Sequence, residues 1–227
     1  MILVKYIKLA YHTIRLIINP EGNIKSLIYL GDIISESEAS NTIAKKLFIN
    51  QELANMHRHK KGLESIDLTT LSLYSKESLG YILYEFYTSK SLDVYPMGRF
   101  EEYTQSRYVS ERTRKSHDLL HVILGYGTDL IGEAKVNAYV LNQSRMPINF
   151  LILIGIGLKY LFKSPLQFLT LINEIEEGWK MGYKTDLFLI QDWEIMMRMP
   201  LDEVRHQFIK KVMVVSGKDN SFKKQVA

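Results

Sequence analysis

The stretch His117-Asp118-x-x-His121, followed by Gly125-Tyr126-Gly127 and then Glu133, constrains the fold most. Residues four apart share one face of a helix, so the helical reading brings His117 and His121 together. Asp118 lies about 100° around that helix from His117. The two glycines break the helix after residue 124. Glu133, with eleven residues between it and His121, returns on the next helix and can close the cluster from the facing side. The motif therefore calls for two adjacent helices with their polar faces turned toward each other.

A single histidine on an apolar helix face is ordinarily a core residue with a satisfied partner. A His pair at i, i+4 beside an acid points instead to a metal ion. The bland alternative is a hydrogen-bonded polar face. The zinc-protease signature is absent, because position 118 carries Asp and not Glu. The His-Asp doublet is shared with metal phosphohydrolases, but those need further ligands on several helices. His57, His59 and His206 give no such match.

The rest of the chain reads as helix as well, so the expected fold class is all-α, a single mostly helical domain carrying the motif on two adjacent helices. Residues 2–18 alternate a narrow basic stripe (Lys5, Lys8, His12, Arg15) with a wide apolar arc. This helix is expected at the core, at a homodimer interface, or lying in a membrane surface. A second helix is expected over 24–34, and Ser35-x-x-Glu38 has the spacing of a capping box that opens a third. The polar segment 51–61 reads as an irregular connection, and 69–74 as a weak strand. Ser75-x-x-Ser78 precedes an apolar-periodic stretch over 79–87. The segment 92–100, with Pro96 and Gly98, reads as a loop near the motif.

The motif helix is expected from about Thr104 or Ser110 to Leu124. Thr128 is placed to cap its successor, which runs to Arg145. Pro147 suits the first turn of a further helix. Ser164-Pro165 restarts the chain as a helix ended by Gly182. Asp192 and Pro200 mark two short helices. Residues 1–75 form an N-terminal helical part, 76–215 the core with the motif, and 216–227 a frayed polar tail.

The 227 residues carry no cysteine and a net charge of +4. There is no thiolate site and no disulfide framework, which fits a reducing, cytoplasmic compartment. The charge is too small, and the basic patch at 57–61 too poor in aromatics, for a nucleic-acid partner. No run of eighteen apolar residues exists to cross a bilayer, and no secretory cleavage site is expected at the N-terminus. The longest apolar stretch, 148–158, fits a core helix or an element that touches lipid.

With its neighbours, the motif resembles the signature of the coenzyme Q (ubiquinone) biosynthesis protein 4 family. The residues that carry the resemblance are His117-Asp118-Leu119-Leu120-His121 and Glu133, with Arg114, Gly132, Met146-Pro147, Trp179, Gly182, Trp193-Glu194 and Pro200 to Arg205 in support. Thr113 and Met146 depart from the family pattern. The resemblance covers residues 76–210 and is weak in the N-terminal third. It implies a protein at a membrane surface that acts in quinone synthesis, replacing a ring carboxyl at C1 of a polyprenylated precursor by hydroxyl, or organising other quinone-biosynthesis enzymes. It also implies that His117, Asp118, His121 and Glu133 hold a divalent ion, usually zinc.

From the residues themselves, this donor set also suits iron, manganese or magnesium. Asp118 or Glu133 is the expected base. Arg112, Arg114 and Arg145 are candidates for binding an anionic head group. A prenyl tail would need apolar wall, which residues 150–162, the arc of 2–18 and the methionines Met196, Met197 and Met199 could supply. The alternative function is a non-catalytic lipid-binding scaffold.

Overall fold

The computed structural model describes residues 8, 11–15, 24–94 and 102–209. The fold is all-α, and no strand occurs among the described residues. The elements are α1 (Ile24–Ser35), α2 (Glu38–Leu47), α3 (Gln51–Arg58), α4 (Leu68–Leu71), α5 (Leu79–Ser89) and α6 (Gln105–Leu124). They continue with α7 (Leu130–Ser144), α8 (Pro147–Lys163), α9 (Phe168–Lys184), α10 (Trp193–Met196) and α11 (Leu201–Phe208).

Side-chain caps set most of the helix starts by satisfying backbone N–H groups that have no partner within the helix. Ser37, Asn50, Asp67, Ser78, Thr104 and Asp129 accept at the N-termini of α2 to α7 in turn. Pro147 sits in the first turn of α8, where its missing N–H costs nothing.

Helix α6 is the central element and packs against α1, α2, α5, α7 and α11. Its sequence is too polar for an ordinary core helix, and the structure shows how that is tolerated. A buried polar group is costly unless hydrogen-bonded. Arg112 is fully buried and donates to the backbone carbonyls of Gly62, Leu189 and Gln191. Lys115 pairs with Glu194, and Ser116 Oγ accepts from Trp193 Nε1 at 2.8 Å. Arg114 bridges Glu111 and Asp32. The apolar residues of α6, among them Val109, Leu119, Leu120 and Ile123, meet Leu79, Leu83, Phe188 and Trp193 in the main core.

Five sequence expectations are corrected. Residues 51–58 are helix α3, because Asn50 caps it and Leu53 and Met56 bury one side. The weak strand at 69–74 is instead the single turn α4, held by Asp67 on Thr69 and Thr70. The cap of α2 is Ser37, while the Ser35 hydroxyl donates back to Asp32 O. The cap of α7 is Asp129, and Thr128 accepts from Lys90 Nζ at 3.1 Å. Gly182 lies inside α9, where a Cβ would meet the Asn142 side chain at 2.5 Å, so it serves helix crossing and not termination.

Of the helix expected over 2–18, only residues 8 and 11–15 are described, and they are helical. His12 Nδ1 lies 3.0 Å from Ser26 Oγ on α1. The proposed loop beyond residue 94 and the tail beyond 209 fall outside the described residues. Among those described, no helix is long and apolar enough to cross a membrane.

Candidate metal centre between two helices

The turn between α6 and α7 decides what faces what. Gly125 takes φ 70°, the left-handed conformation that closes helices, and caps α6. Tyr126 N–H then donates to His121 O. Gly132 lets the first turn of α7 fold tightly onto this turn, since a Cβ there would stand 1.8 Å from Gly127 O. Glu133 thereby arrives opposite the two histidines of α6.

The ligand atoms of His117, His121 and Glu133 lie within 4.8 Å of one another. Glu133 presents one oxygen to each imidazole: Oε1 is 3.2 Å from His121 Nε2, and Oε2 is 3.3 Å from His117 Nε2. The two rings stand edge to face with centroids 4.8 Å apart. The His121 side chain is 1% exposed, and those of His117 and Glu133 are 27% and 29% exposed. The centre is therefore walled on one side and open on the other.

Both imidazoles are held at their far nitrogen. His121 Nδ1 is 3.2 Å from Tyr126 O. A carbonyl only accepts, so Nδ1 carries a proton and Nε2 is the nitrogen turned toward Glu133. His117 Nδ1 lies 3.2 Å from Asp118 Oδ1. Asp118 Oδ2 in turn accepts from the Tyr87 hydroxyl at 2.6 Å.

The arrangement tests well against a metal ion. His121 Nε2 is buried and accepts no hydrogen bond, while the group facing it is a carboxylate. Two acceptors at contact distance need a cation between them. In the metal-free chain a proton serves. Burial opposes a charged His117, but Glu133 and Asp118 together outweigh it and push the imidazole up to about 10. Burial likewise opposes a charged Glu133, yet His117 and His121 hold its carboxyl well below the usual range. Asp118 is lowered by His117 and Tyr87 against the same burial.

Two imidazoles and one carboxylate are a donor set for zinc or ferrous iron, with positions left open. Magnesium favours an all-oxygen shell, so the set suits it less.

Beside the centre runs a groove of about 400 Å³ lined by Phe86, Lys90, His121, Tyr126, Leu201 and Arg205. Phe86 lies nearly parallel to the His121 ring at 6.1 Å. Lys90 Nζ sits 5.6 Å over the Phe86 ring. Tyr87 and Phe86 carried no signal in the sequence, where they read as apolar positions of α5.

The three arginines are engaged elsewhere. Arg112 is bound to the three carbonyls already described, and Arg114 to Asp32 and Glu111. Arg145 takes φ 57° at the C-cap of α7 and stacks its guanidinium over Trp179 at 4.7 Å. The expected tail-binding elements divide. Met197 is buried in the core, whereas α8 and the turn after it expose Phe150, Leu161, Phe162 and Leu166.

The profile of the family described as Coenzyme Q (ubiquinone) biosynthesis protein Coq4 matches residues 5–212. A ubiquinone biosynthesis protein COQ4 homolog, mitochondrial, of Danio rerio is 27% identical over 157 residues, 67% of this chain and 56% of that protein. The Mus musculus homolog of the same name is 31% identical over 93 residues, 40% of this chain and 35% of that protein. The matched region thus spans about a third to a little over half of these curated relatives. A crystal structure from Nostoc punctiforme, provisionally named a ubiquinone biosynthesis protein, superposes with a TM-score of 0.75. It covers 88% of this chain and 96% of its own at 20% identity, a likeness of fold. The vertebrate relatives are mitochondrial by name, whereas the sequence expectation was a cytoplasmic protein at a membrane surface.

Proposed function

This chain belongs to the coenzyme Q (ubiquinone) biosynthesis protein Coq4 family, and from that premise we propose that His117, His121 and Glu133 hold a divalent ion that receives the ring of a prenylated quinone precursor. The observation that carries this reading is the buried Nε2 of His121, which has no hydrogen-bond partner and faces a carboxylate. The proposed reaction replaces the ring carboxyl at C1 by hydroxyl. Carbon dioxide leaves, and dioxygen is the two-electron oxidant, reduced to hydrogen peroxide with water completing the balance. When bound, the ion would supply Lewis-acid polarisation of the ring oxygens.

The chain's own residues supply the rest. The groove beside His121 gives the ring an apolar seat on Phe86, and Lys90 at its rim offers a cation to the carboxylate. Of the two expected bases, Glu133 is favoured. It is part-exposed at the open side of the centre, and as an ion ligand through one oxygen it would keep the other to accept a phenol proton. Asp118 is already bound at both oxygens.

The test is ion content by mass spectrometry on protein purified without chelator, followed by turnover of a carboxylated prenyl-phenol with release of carbon dioxide. About one ion per chain and turnover lost in Glu133→Gln support the enzyme. An ion without turnover supports the second reading, a lipid-binding scaffold for quinone enzymes at a membrane. That reading draws on the exposed Phe162, at 78%, and Leu166, at 96%, beyond what a solvated helix end needs. Phe162→Glu with Leu166→Glu should then reduce co-sedimentation with anionic vesicles. Unchanged sedimentation would remove the membrane element.

A further inference from the structure

A second groove, of about 480 Å³, shares no lining residue with the one beside His121. It lies over the segment 186–192 and helix α10. The carboxylates of Glu52, Asp186 and Asp192 stand around it, and no lysine or arginine is among its described lining residues. Its apolar wall is Ile190, Ile195, Met196 and Met199. We infer that this groove is a docking site for the chain's own segment Lys210 to Val215, whose lysines meet the carboxylates while its valines and methionine cover the apolar wall. The inference needs no ion and stands apart from the metal-centre reading.

The groove's chemistry defines its occupant. Three carboxylates around one opening repel each other and call for a cation. The wall beside them is apolar, and its Ile195 is 61% exposed. A bare ion would answer the charge and leave that wall in water. A lysine joined to aliphatic residues answers both, because its stem packs on apolar surface while its ammonium reaches the carboxylates. The two methionines can adapt their shape to such a segment.

The chain carries that pattern to the groove's border. Residues 210–215 read Lys-Lys-Val-Met-Val-Val. Beyond Ile209, Lys210, Lys211, Lys218, Lys223 and Lys224 stand against one acid, Asp219. Gln207 lines the groove, Phe208 O accepts from Asp186 N at 3.1 Å, and Ile209 pairs with Thr185. Lys210 therefore follows two residues after the backbone partner of Asp186. Six residues of extended chain reach about 20 Å, enough to cross the opening. The tether holds the segment at a millimolar effective concentration, so a weak contact suffices to seat it. The groove's floor also clamps α6, since Leu189 O and Gln191 O accept from Arg112. A docked segment would brace the stretch that holds the motif helix.

The chain has no cysteine, so engineered pairs report contact cleanly. In the full chain, Ile195→Cys is combined with Val212→Cys or Val214→Cys. Phe162→Cys, on the exposed end of α8, is combined with the same two as a control. Under mild oxidation the Ile195→Cys pairs should close within one chain at least about tenfold faster than the controls, read by intact mass and non-reducing electrophoresis. Lys210→Glu with Lys211→Glu in the same background should slow closure by about three- to tenfold, and about 0.5 M salt should slow it too.

Equal closure rates at the two places would overturn the inference, and so would closure indifferent to the charge reversal. A disulfide joining two chains would assign the groove to the segment of a second copy and overturn docking within one chain. Where a cysteine variant fails to fold by circular dichroism, trypsin on the parent chain decides. Cleavage after Lys210 and Lys211 should be about tenfold slower than after Lys223 and Lys224, and Glu52→Gln should narrow that gap. Equal cleavage rates, or a gap that ignores Glu52→Gln, would overturn the docking.

Discussion

Helix α7 carries two charged clusters on opposite sides. Glu133 and Lys135 are two positions apart, about 200° around the helix. Lys135 faces α9, where its ammonium meets Glu174 at 2.8 Å and Glu177 at 3.0 Å and lies 4.6 Å over the Tyr126 ring. That cluster has both signs of charge and is complete. Glu133 faces α6, where it meets two imidazoles whose other nitrogens are already fixed. That cluster offers acceptors to acceptors and is completed only by a proton or an ion. Composition alone would have ranked the two alike, as small groups of charged residues at helical spacing. What separates them is whether the charges balance in place.

The comparison can be broken most sharply by removing one member from each side. His121→Ala should abolish stoichiometric ion binding, while Lys135→Met should leave the ion content of the purified protein unchanged. Equal loss in both would mean that the two sides are not independent.

Next in size are the glycines that set the helix spacing. A Cβ on Gly178 would meet Lys135 O at 2.3 Å, and one on Gly132 would meet Gly127 O at 1.8 Å. Both clashes are with backbone, so alanine at either site should cost about 1–3 kcal/mol in denaturant unfolding. Only Gly132→Ala should also weaken the ion, since only it moves the start of α7. Ion affinity unchanged in Gly132→Ala would show that this turn does not set the site.

Acidity separates the clusters more gently. His117 is held up to about 10 in the metal-free chain, from an ordinary 6.5. A raised value means that its contribution to stability is fully present below 6.5, declines above it, and is gone once the pH passes about 10. An ion must displace that proton. Between about pH 7 and 9, ion affinity should therefore rise roughly tenfold per pH unit. A flat profile by calorimetry would mean that His117 is neutral before the ion arrives. The smallest effect belongs to the complete cluster: Lys135→Met should cost about 0.2–1 kcal/mol, less at high salt.

How much of this was legible in the sequence can be argued residue by residue. His117 and His121 were readable because helical spacing is local, and Pro147 and the Ser78 cap for the same reason. Glu133 was readable as a returning partner only because a glycine turn stood between it and the histidines. The buried side of α3 was missed because its inward residues Leu53 and Met56 are sparse among polar ones. The three arginines were legible as charges but not as destinations. Arg112 reaches carbonyls as far as 79 positions away, which no local pattern encodes.

The sequence by itself determined the all-α class, the pairing of the two histidines and the family. The first two follow from periodicity and motif spacing within a few turns, and the third from the resemblance of the motif and its neighbours to a known signature. The tertiary structure alone decided that Asp118 turns to His117 and Tyr87, that Glu133 bridges both imidazoles, and that Phe162 and Leu166 stay uncovered. Those outcomes depend on how closely helices approach. Here that is set by Gly125, Gly132 and Gly178 together with the packing of α5 on α6, and distances across helices are not written in the spacing along one.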